Sequence, residues 1–121
     1  MKLVYVAGKY RGPTIRAVVE NIRAAEHVAL ELWRLGFAVI CPQKNSALFD
    51  GACPDEVWLA GDLVMLERCD AVVMVPGWES SSGARAEKLH AHGRGIPVYL
   101  WPDAMGELIR IEEPSREESQ P

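Results

Sequence analysis

The sequence predicts an α/β domain in which a parallel sheet of four to five strands carries helices on both faces. Two observations predict this fold. Short apolar runs recur along the 121 residues, and the segments between them place apolar residues three and four positions apart. Continuous apolar runs are typical of parallel strands that are buried on both faces, and the longer period is typical of helices. The alternation of the two predicts one domain with right-handed crossovers.

The first strand and the first helix follow directly from this pattern. Leu3–Ala7 is an unbroken apolar run, and the glycines and proline of Gly8–Pro13 predict a loop after it. Thr14 is a good capping residue for a helix, which the apolar spacing predicts up to about Leu35. Gly36 then ends this helix, as glycine commonly does at a helix C-terminus.

The middle of the chain predicts two more strands with a helix between them. Phe37–Cys41 predicts the second strand, and Ala71–Val75 predicts the third. Between them, Gln43–Cys53 has no clear period, and an irregular segment of this length is often functional. A helix is predicted from about Pro54 to Leu66, with acidic residues in its first turn that complement the helix dipole.

The last third of the chain predicts one more helix and one more strand. The pattern indicates a loop, a helix and a strand at Pro76–Gly83, Ala84–His92 and Ile96–Trp101. A short element around Leu108–Ile111 is expected to add an edge strand or a turn. Residues from Glu112 onward are rich in Glu, Ser and Pro, a composition typical of disorder. We therefore expect a three-layer, flavodoxin- or Rossmann-like domain over residues 1–112 and a disordered tail over 113–121.

Composition and charge exclude several classes of protein. The formal net charge of −4 argues against a general affinity for DNA or RNA, and no apolar run is long enough to span a membrane. The N-terminal apolar run is too short for a secretory signal, so we expect a cytoplasmic protein. Cys41, Cys53 and Cys69 lack the spacing of a metal site, so we expect reduced thiols, no metal and no cofactor.

Two polar loops predict where a ligand binds. In such folds ligands lie beyond the carboxyl ends of the strands, at the switch in strand order, and both Gly8–Pro13 and Pro76–Gly83 fall there. The glycines of the first loop let backbone N–H groups approach a ligand, and Arg11 can pair with a phosphate or a carboxylate. In the second loop, Ser80–Ser82 precede a helix start, where hydroxyl and N–H groups favour an anion.

Glu87 and Asp62 are the candidate catalytic residues. Glu87 follows the serines about one helical turn later, and the helix dipole is expected to keep it ionised, as a nucleophile on an anomeric carbon requires. A carboxylate that only stabilises the helix start or faces solvent fits the same pattern. Asp62 is a candidate general acid or a surface charge. Trp78 and Trp58 are candidates to stack on a base or to pack in the core.

In these residues the chain resembles the nucleoside 2-deoxyribosyltransferase superfamily. That group also includes deoxynucleoside monophosphate hydrolases such as 5-hydroxymethyl-dUMP N-hydrolase. The matching segments lie in the order of the family at Val4–Gly12, Asp62–Asp70, Ser81–Glu87 and Gly95–Val98. The resemblance spans nearly the whole chain up to about Trp101. Lys9 departs from it, because the relatives usually have a small residue there, often serine.

The resemblance implies a role for each matching residue. Glu87 corresponds to the nucleophile on C1′, Asp62 to the aspartate that positions the sugar or assists protonation at the base, and Tyr5 to a tyrosine near the nucleophile. The resemblance to the monophosphate hydrolases also implies that the Gly8–Gly12 loop, together with Ser81 and Gly83, holds the 5′-phosphate. Together with Trp78, the expected substrate-binding residues are Gly8, Lys9, Tyr10, Arg11, Gly12, Ser81 and Gly83.

These observations predict cleavage of the N-glycosidic bond of a nucleoside or nucleoside 5′-monophosphate, by hydrolysis or base transfer, through a glutamyl-glycosyl intermediate. The resemblance also implies a homodimer or higher homo-oligomer, because relatives often complete the site with a neighbouring subunit's residues. A catalytically silent nucleotide-binding or sensing module on the same fold would use the same binding residues. A flavodoxin-like regulator fits less well, since neither loop explains a flavin ring or a phosphoacceptor aspartate.

Overall fold

A computed structural model describes residues 1–103 and 105–112, and its architecture confirms the predicted α/β class. The strands are β1 (Leu3–Ala7), β2 (Ala38–Ile40), β3 (Ala71–Met74) and β4 (Val98–Leu100). The helices are α1 (Ile15–Arg34), α2 (Pro42–Asn45), α3 (Asp55–Glu67), α4 (Ser82–Gly93) and α5 (Met105–Glu112). The strand pairs are parallel and form a four-stranded sheet in the order β2-β1-β3-β4.

The position of β1 inside the sheet creates the switch in strand order. Val4 pairs with Val39 of β2 on one side and with Ala71 of β3 on the other. After β1 the chain turns to one side of the sheet, and after β2 it crosses to the other side. The carboxyl ends of β1 and β3 therefore flank the position where open α/β sheets bind their ligands.

Helices cover both faces of this sheet. One apolar core, on the side of α1 and α5, buries Val4, Val6 and Val73. A second core, on the side of α3 and α4, buries Tyr5 and Val72. Successive side chains of a strand point to opposite faces, so each continuous apolar run contributes to both cores.

The predicted ends of α1 are confirmed by its capping contacts. Thr14 Oγ1 accepts the backbone N–H of Ala17 at 3.0 Å, which satisfies one of the free donors of the first turn. Gly36 follows the helix with a φ of 101°, a left-handed conformation that only glycine adopts without strain. Within the described part of the chain, no helix is long and apolar enough to cross a membrane.

Two segments differ from the sequence predictions. The irregular segment after β2 begins with a short helix, α2, which starts at Pro42 because proline is preset for a first helical turn. The edge strand or turn predicted around Leu108–Ile111 is wrong. This segment belongs to helix α5, and Leu108 is fully buried in the core on the α1 side. A short apolar run does not distinguish a strand from one face of a helix. The predicted tail, 113–121, lies outside the described residues.

Candidate functional site

A cleft of about 610 Å³ lies beyond the carboxyl ends of β1 and β3. Its walls come from the loop after β1, from α2 and the segment after it, from α3, and from the start of α4. This volume is within the usual range of small-molecule sites. Of the residues predicted for the site, those that line the cleft are Gly8, Lys9, Tyr10, Arg11, Asp62, Ser81, Gly83 and Glu87.

Glu87 and Tyr5 form a hydrogen-bonded pair at this cleft. The Tyr5 hydroxyl donates to Glu87 Oε2, which joins residues 82 positions apart in the chain. Tyr5 is fully buried in the core on the α4 side of the sheet. Its burial, followed by the proximity of Glu87 and of Asp62, raises the pKa of the Tyr5 hydroxyl. The hydroxyl therefore stays protonated and remains a hydrogen-bond donor.

The charge state of Glu87 differs from the sequence prediction. Burial raises the pKa of Glu87 to about 7, the hydrogen bond from Tyr5 lowers it, and nearby Asp62 raises it. Because α4 begins at Ser82, Glu87 lies in the second turn of the helix, beyond the first turn in which the helix dipole acts most strongly. Desolvation outweighs the dipole, so protonated and ionised Glu87 coexist near neutral pH.

Asp62 contributes a second carboxyl group with a raised pKa. It lies on α3, lines the cleft and is partly buried, and this burial raises its pKa to about 6. Its charge in turn raises the pKa values of Glu87 and Tyr5, so the three groups are electrostatically coupled. Two coupled carboxyl groups with raised pKa values in one cleft are typical of sites that perform acid–base chemistry.

Gly8 and Gln43 fix the wall of the cleft at the end of β1. A Cβ atom on Gly8 would lie 2.8 Å from Val75 Cβ, so the backbone passes close to the end of β3 only because the residue is glycine. The Gly8 carbonyl oxygen accepts a hydrogen bond from Gln43 Nε2 at 3.1 Å. Gln43 is a buried polar residue on α2 that the sequence analysis did not single out. The sequence feature that could have pointed to Gln43 is its position at the start of a long irregular segment.

Tyr10 and Arg11 contact acidic residues across the cleft. The Tyr10 hydroxyl donates to Asp50 Oδ1 at 2.6 Å and accepts the backbone N–H of Leu48 at 2.9 Å. Arg11 Nη2 lies 2.5 Å from Asp55 Oδ2, with both side chains more than half exposed. The sequence analysis missed Asp50 and Asp55, because their contacts depend on how the segment after α2 folds back over the first loop.

Lys9 is the other basic residue of the cleft. Its side chain is partly buried and lines both the cleft and an adjoining cavity of about 160 Å³. Among the described residues, its ammonium group has no ion-pair or hydrogen-bond partner. Lys9 is therefore free to meet an anion, whereas Arg11 is already engaged by Asp55.

The start of α4 brings Ser81 and Gly83 to the cleft. Ser81 Oγ accepts the backbone N–H of Ala84 at 3.1 Å and so caps the helix. In the part of the chain that the structure describes, Gly12 and Trp78 lie outside the cleft lining. Trp78 packs on the core beneath α4, with Lys88 Nζ 5.2 Å from its ring centre.

Trp58, the other tryptophan considered from the sequence, lines the cleft from α3. Across residues 1–103 and 105–112, no cluster of three or more His, Cys, Asp or Glu side chains has the geometry of a metal site.

Comparisons with known proteins agree with this fold. The model of a family described as Domain of unknown function (DUF4406) matches residues 2–100. A 2-deoxyribosyltransferase from the psychrotolerant bacterium Bacillus psychrosaccharolyticus is 20% identical, with a TM-score of 0.60 over 81% of this chain and 70% of that chain. A conserved protein from Enterococcus faecalis V583 is also 20% identical, with a TM-score of 0.65 over 93% and 76%. No curated protein matches the chain significantly. The resemblance stated from the sequence is thus confirmed as a shared fold.

Proposed function

The chain belongs to the family described as Domain of unknown function (DUF4406), and we propose that it cleaves the N-glycosidic bond of a nucleoside or nucleoside 5′-monophosphate. The observation that carries this proposal is the Tyr5–Glu87 pair in a cleft that Asp62 also lines. A nucleophilic carboxylate and a second carboxyl group that holds a proton are the two groups that a retaining glycosidic cleavage needs.

In the proposed reaction, the ionised carboxylate of Glu87 attacks C1′ of the sugar. The bond between C1′ and the base nitrogen breaks, its electron pair goes to the base, and the protonated Asp62 supplies a proton to the departing base. This step leaves a glycosyl ester on Glu87. Water or a second base then attacks C1′ and releases the carboxylate, and the proton of the attacking group returns to Asp62.

Tyr5 positions Glu87 for this attack. Its hydroxyl binds Glu87 Oε2, which restricts the carboxylate to one orientation and lowers the pKa that burial raises. The other carboxylate oxygen, Oε1, is then the atom that faces the sugar. A nucleophile held in this way loses less freedom in the transition state.

A 5′-phosphate on the substrate is favoured by the basic and hydroxyl groups that line the cleft. Lys9 and Arg11 come from the first loop, and Ser81, Ser82 and Gly83 come from the start of α4. Backbone N–H groups in the first turn of a helix attract anions, and charged donors strengthen such contacts.

The experiment that tests the proposal measures base release from a panel of nucleosides and 5′-monophosphates, with and without an acceptor base. We expect the wild type to release base, and Glu87→Ala to lower the rate at least about a thousandfold, as loss of a covalent nucleophile does. Glu20→Ala, an exposed substitution on α1, is the matched control and should retain the full rate. The intact mass of quenched wild-type protein should show a sugar adduct that Glu87→Ala lacks.

Base release that is unaffected by Glu87→Ala would contradict the proposed nucleophile. The absence of release from every substrate, with nucleotide binding retained, would instead favour the alternative of a catalytically silent nucleotide-binding module. Far-ultraviolet circular dichroism of each variant establishes that a loss of rate is not a loss of fold.

A further inference from the structure

Trp58 presents a buried hydrogen-bond donor beside the proposed reaction centre. Its indole Nε1 is inaccessible to solvent, and among the described residues it has no hydrogen-bond partner. Buried polar groups are nearly always paired, and one that is left unpaired lowers the stability of the folded state. An unpaired donor in a ligand cleft therefore points to an acceptor that the ligand supplies.

Trp58 and Asp62 lie on the same helix, α3. The two residues are four positions apart in the helix, so their side chains lie on the same helical face, and both line the cleft. Leu59 and Leu63 line the same wall. An aromatic and apolar surface next to a proton-donating carboxyl group suits a flat heterocycle whose nitrogen must be protonated.

The segment around Phe49 packs against the Trp58 ring. The Phe49 ring lies 6.0 Å from the Trp58 ring at an angle of 50°, and Phe49 is 53% exposed. Its neighbour Leu48 is 61% exposed and has a φ of 61°, a left-handed conformation that is strained for a residue other than glycine. The hydrogen bonds of Tyr10 to Leu48 and Asp50 tie this segment to the first loop. Because Nε1 is buried in the free protein, a contact between the indole N–H and a ligand requires the residues that cover it to shift when the ligand enters.

We propose that Trp58 is the base-binding residue of the cleft, and that its indole N–H donates to a carbonyl oxygen or ring nitrogen of the nucleobase. This inference rests on the proposed function and names the residue that holds the base next to Asp62. The base lies against the Trp58 face of α3, and its glycosidic nitrogen lies near the Asp62 carboxyl group. Trp78, the other tryptophan that the sequence offered for stacking on a base, packs on the core on the α4 side instead.

The test combines a binding measurement with a stability measurement on Trp58→Phe. This substitution keeps an aromatic ring and removes the N–H donor. We expect the dissociation constant for nucleosides and free bases to rise about three- to tenfold, the usual range for loss of one neutral hydrogen bond. We expect the melting temperature without ligand to stay equal or to rise, because the donor that is removed has no partner in the free protein. Trp78→Phe is the matched control and should leave the dissociation constant unchanged.

Calorimetric titration on a Glu87→Gln background keeps this test separate from turnover. Weaker base binding in Trp58→Phe, with binding unchanged in Trp78→Phe, supports the inference even if no base is ever released. An unchanged dissociation constant overturns it, even if base release depends on Glu87. Failure of the unsubstituted chain to bind any base or nucleoside overturns it as well.

Discussion

Glu87 and Asp62 share a cleft in which burial raises the pKa values of both carboxyl groups. The pKa of Glu87 rises to about 7 and that of Asp62 to about 6. Glu87, the proposed nucleophile, is thus the weaker acid, although the proposed reaction requires it to be ionised and requires Asp62 to be protonated. The Tyr5 hydrogen bond works against this order, because it favours the charged form of Glu87.

This arrangement predicts a bell-shaped dependence of kcat/KM on pH. The form with Glu87 ionised and Asp62 protonated is most populated midway between the two pKa values of about 6 and about 7, so we expect the maximum near about pH 6.5. The rate falls at lower pH because Glu87 becomes protonated, and at higher pH because Asp62 loses its proton. The apparent pKa values of the two limbs belong to the coupled pair of carboxyl groups rather than to either residue alone. Base release measured from pH 4.5 to 9 checks this prediction.

Asp62→Asn tests whether the loss of the Asp62 proton causes the fall in rate at high pH. The amide cannot lose a proton in this range, so the decline at high pH should disappear, and the maximal rate should fall about 10²- to 10⁴-fold, as loss of a general acid commonly causes. Retention of the alkaline limb in Asp62→Asn would contradict the role proposed for Asp62.

The candidate residues that were predictable from the sequence are those that immediately follow a strand or begin a helix. Lys9, Arg11 and Ser81 reach the cleft because parallel strands end at the same edge of the sheet. Gln43 and Asp55 were not predictable as site residues. Their contacts form between segments that are distant in sequence, and no local pattern specifies such contacts.

The turn from β1 into the first loop leaves no room for a side chain at Gly8. A side chain at Gly8 would collide with Val75, and the two residues follow neighbouring strands whose backbones are fixed by the sheet. We therefore predict that Gly8→Ala lowers the free energy of unfolding by about 1–3 kcal/mol, the usual cost of overpacking. Urea denaturation monitored by circular dichroism measures this loss.

Gly61→Ala is the matched control for this substitution. Gly61 lies on α3 beside Asp62, and an added Cβ atom there would meet no atom within 4 Å. Because alanine is a better helix former than glycine, this variant should be equally stable or more stable by up to about 1 kcal/mol. Equal stabilities of the two variants would contradict the packing argument for Gly8.

Strands and long helices were predictable, and short elements were not. α1 has twenty residues of consistent spacing, a capping threonine and a terminal glycine, and these local signals agree with one another. α5 contains a short apolar run that suits either a strand edge or a helix face. The contact that decides between them, the burial of Leu108 in the core on the α1 side, is a tertiary one.

The distribution of charge over the molecule bears on which substrates can enter. The net charge of −4 opposes anions in general. Among the described residues that line the cleft, four are acidic and two are basic, and these are Asp50, Asp55, Asp62, Glu87, Lys9 and Arg11. A phosphorylated ligand therefore depends on the two basic side chains, one of which is paired with Asp55.

We predict that Arg11→Ala raises the dissociation constant for 5′-monophosphates about tenfold more than that for nucleosides. Only the phosphate of the monophosphates can form a charged hydrogen bond with Arg11, so only these ligands lose one. The exposed pair with Asp55 is weak enough for a phosphate to displace. Asp55→Asn should strengthen the binding of 5′-monophosphates relative to nucleosides, because it frees Arg11 from its ion pair. Dissociation constants for matched nucleoside and nucleotide pairs at low salt provide the measurement. Equal losses for both ligand types in Arg11→Ala would exclude a phosphate contact.

The interior position of β1 has a consequence for how the chain is made. β1 emerges from the ribosome well before its second neighbour in the sheet, β3, which is complete only at Met74. Until then Leu3–Ala7 is an apolar segment with one edge unpaired, a state that invites chaperones and self-association during translation. The Tyr5–Glu87 contact forms later still, after α4 has been synthesised. A ribosome that stalls between these points would hold a chain with three of the four strands of its sheet and no Tyr5–Glu87 contact.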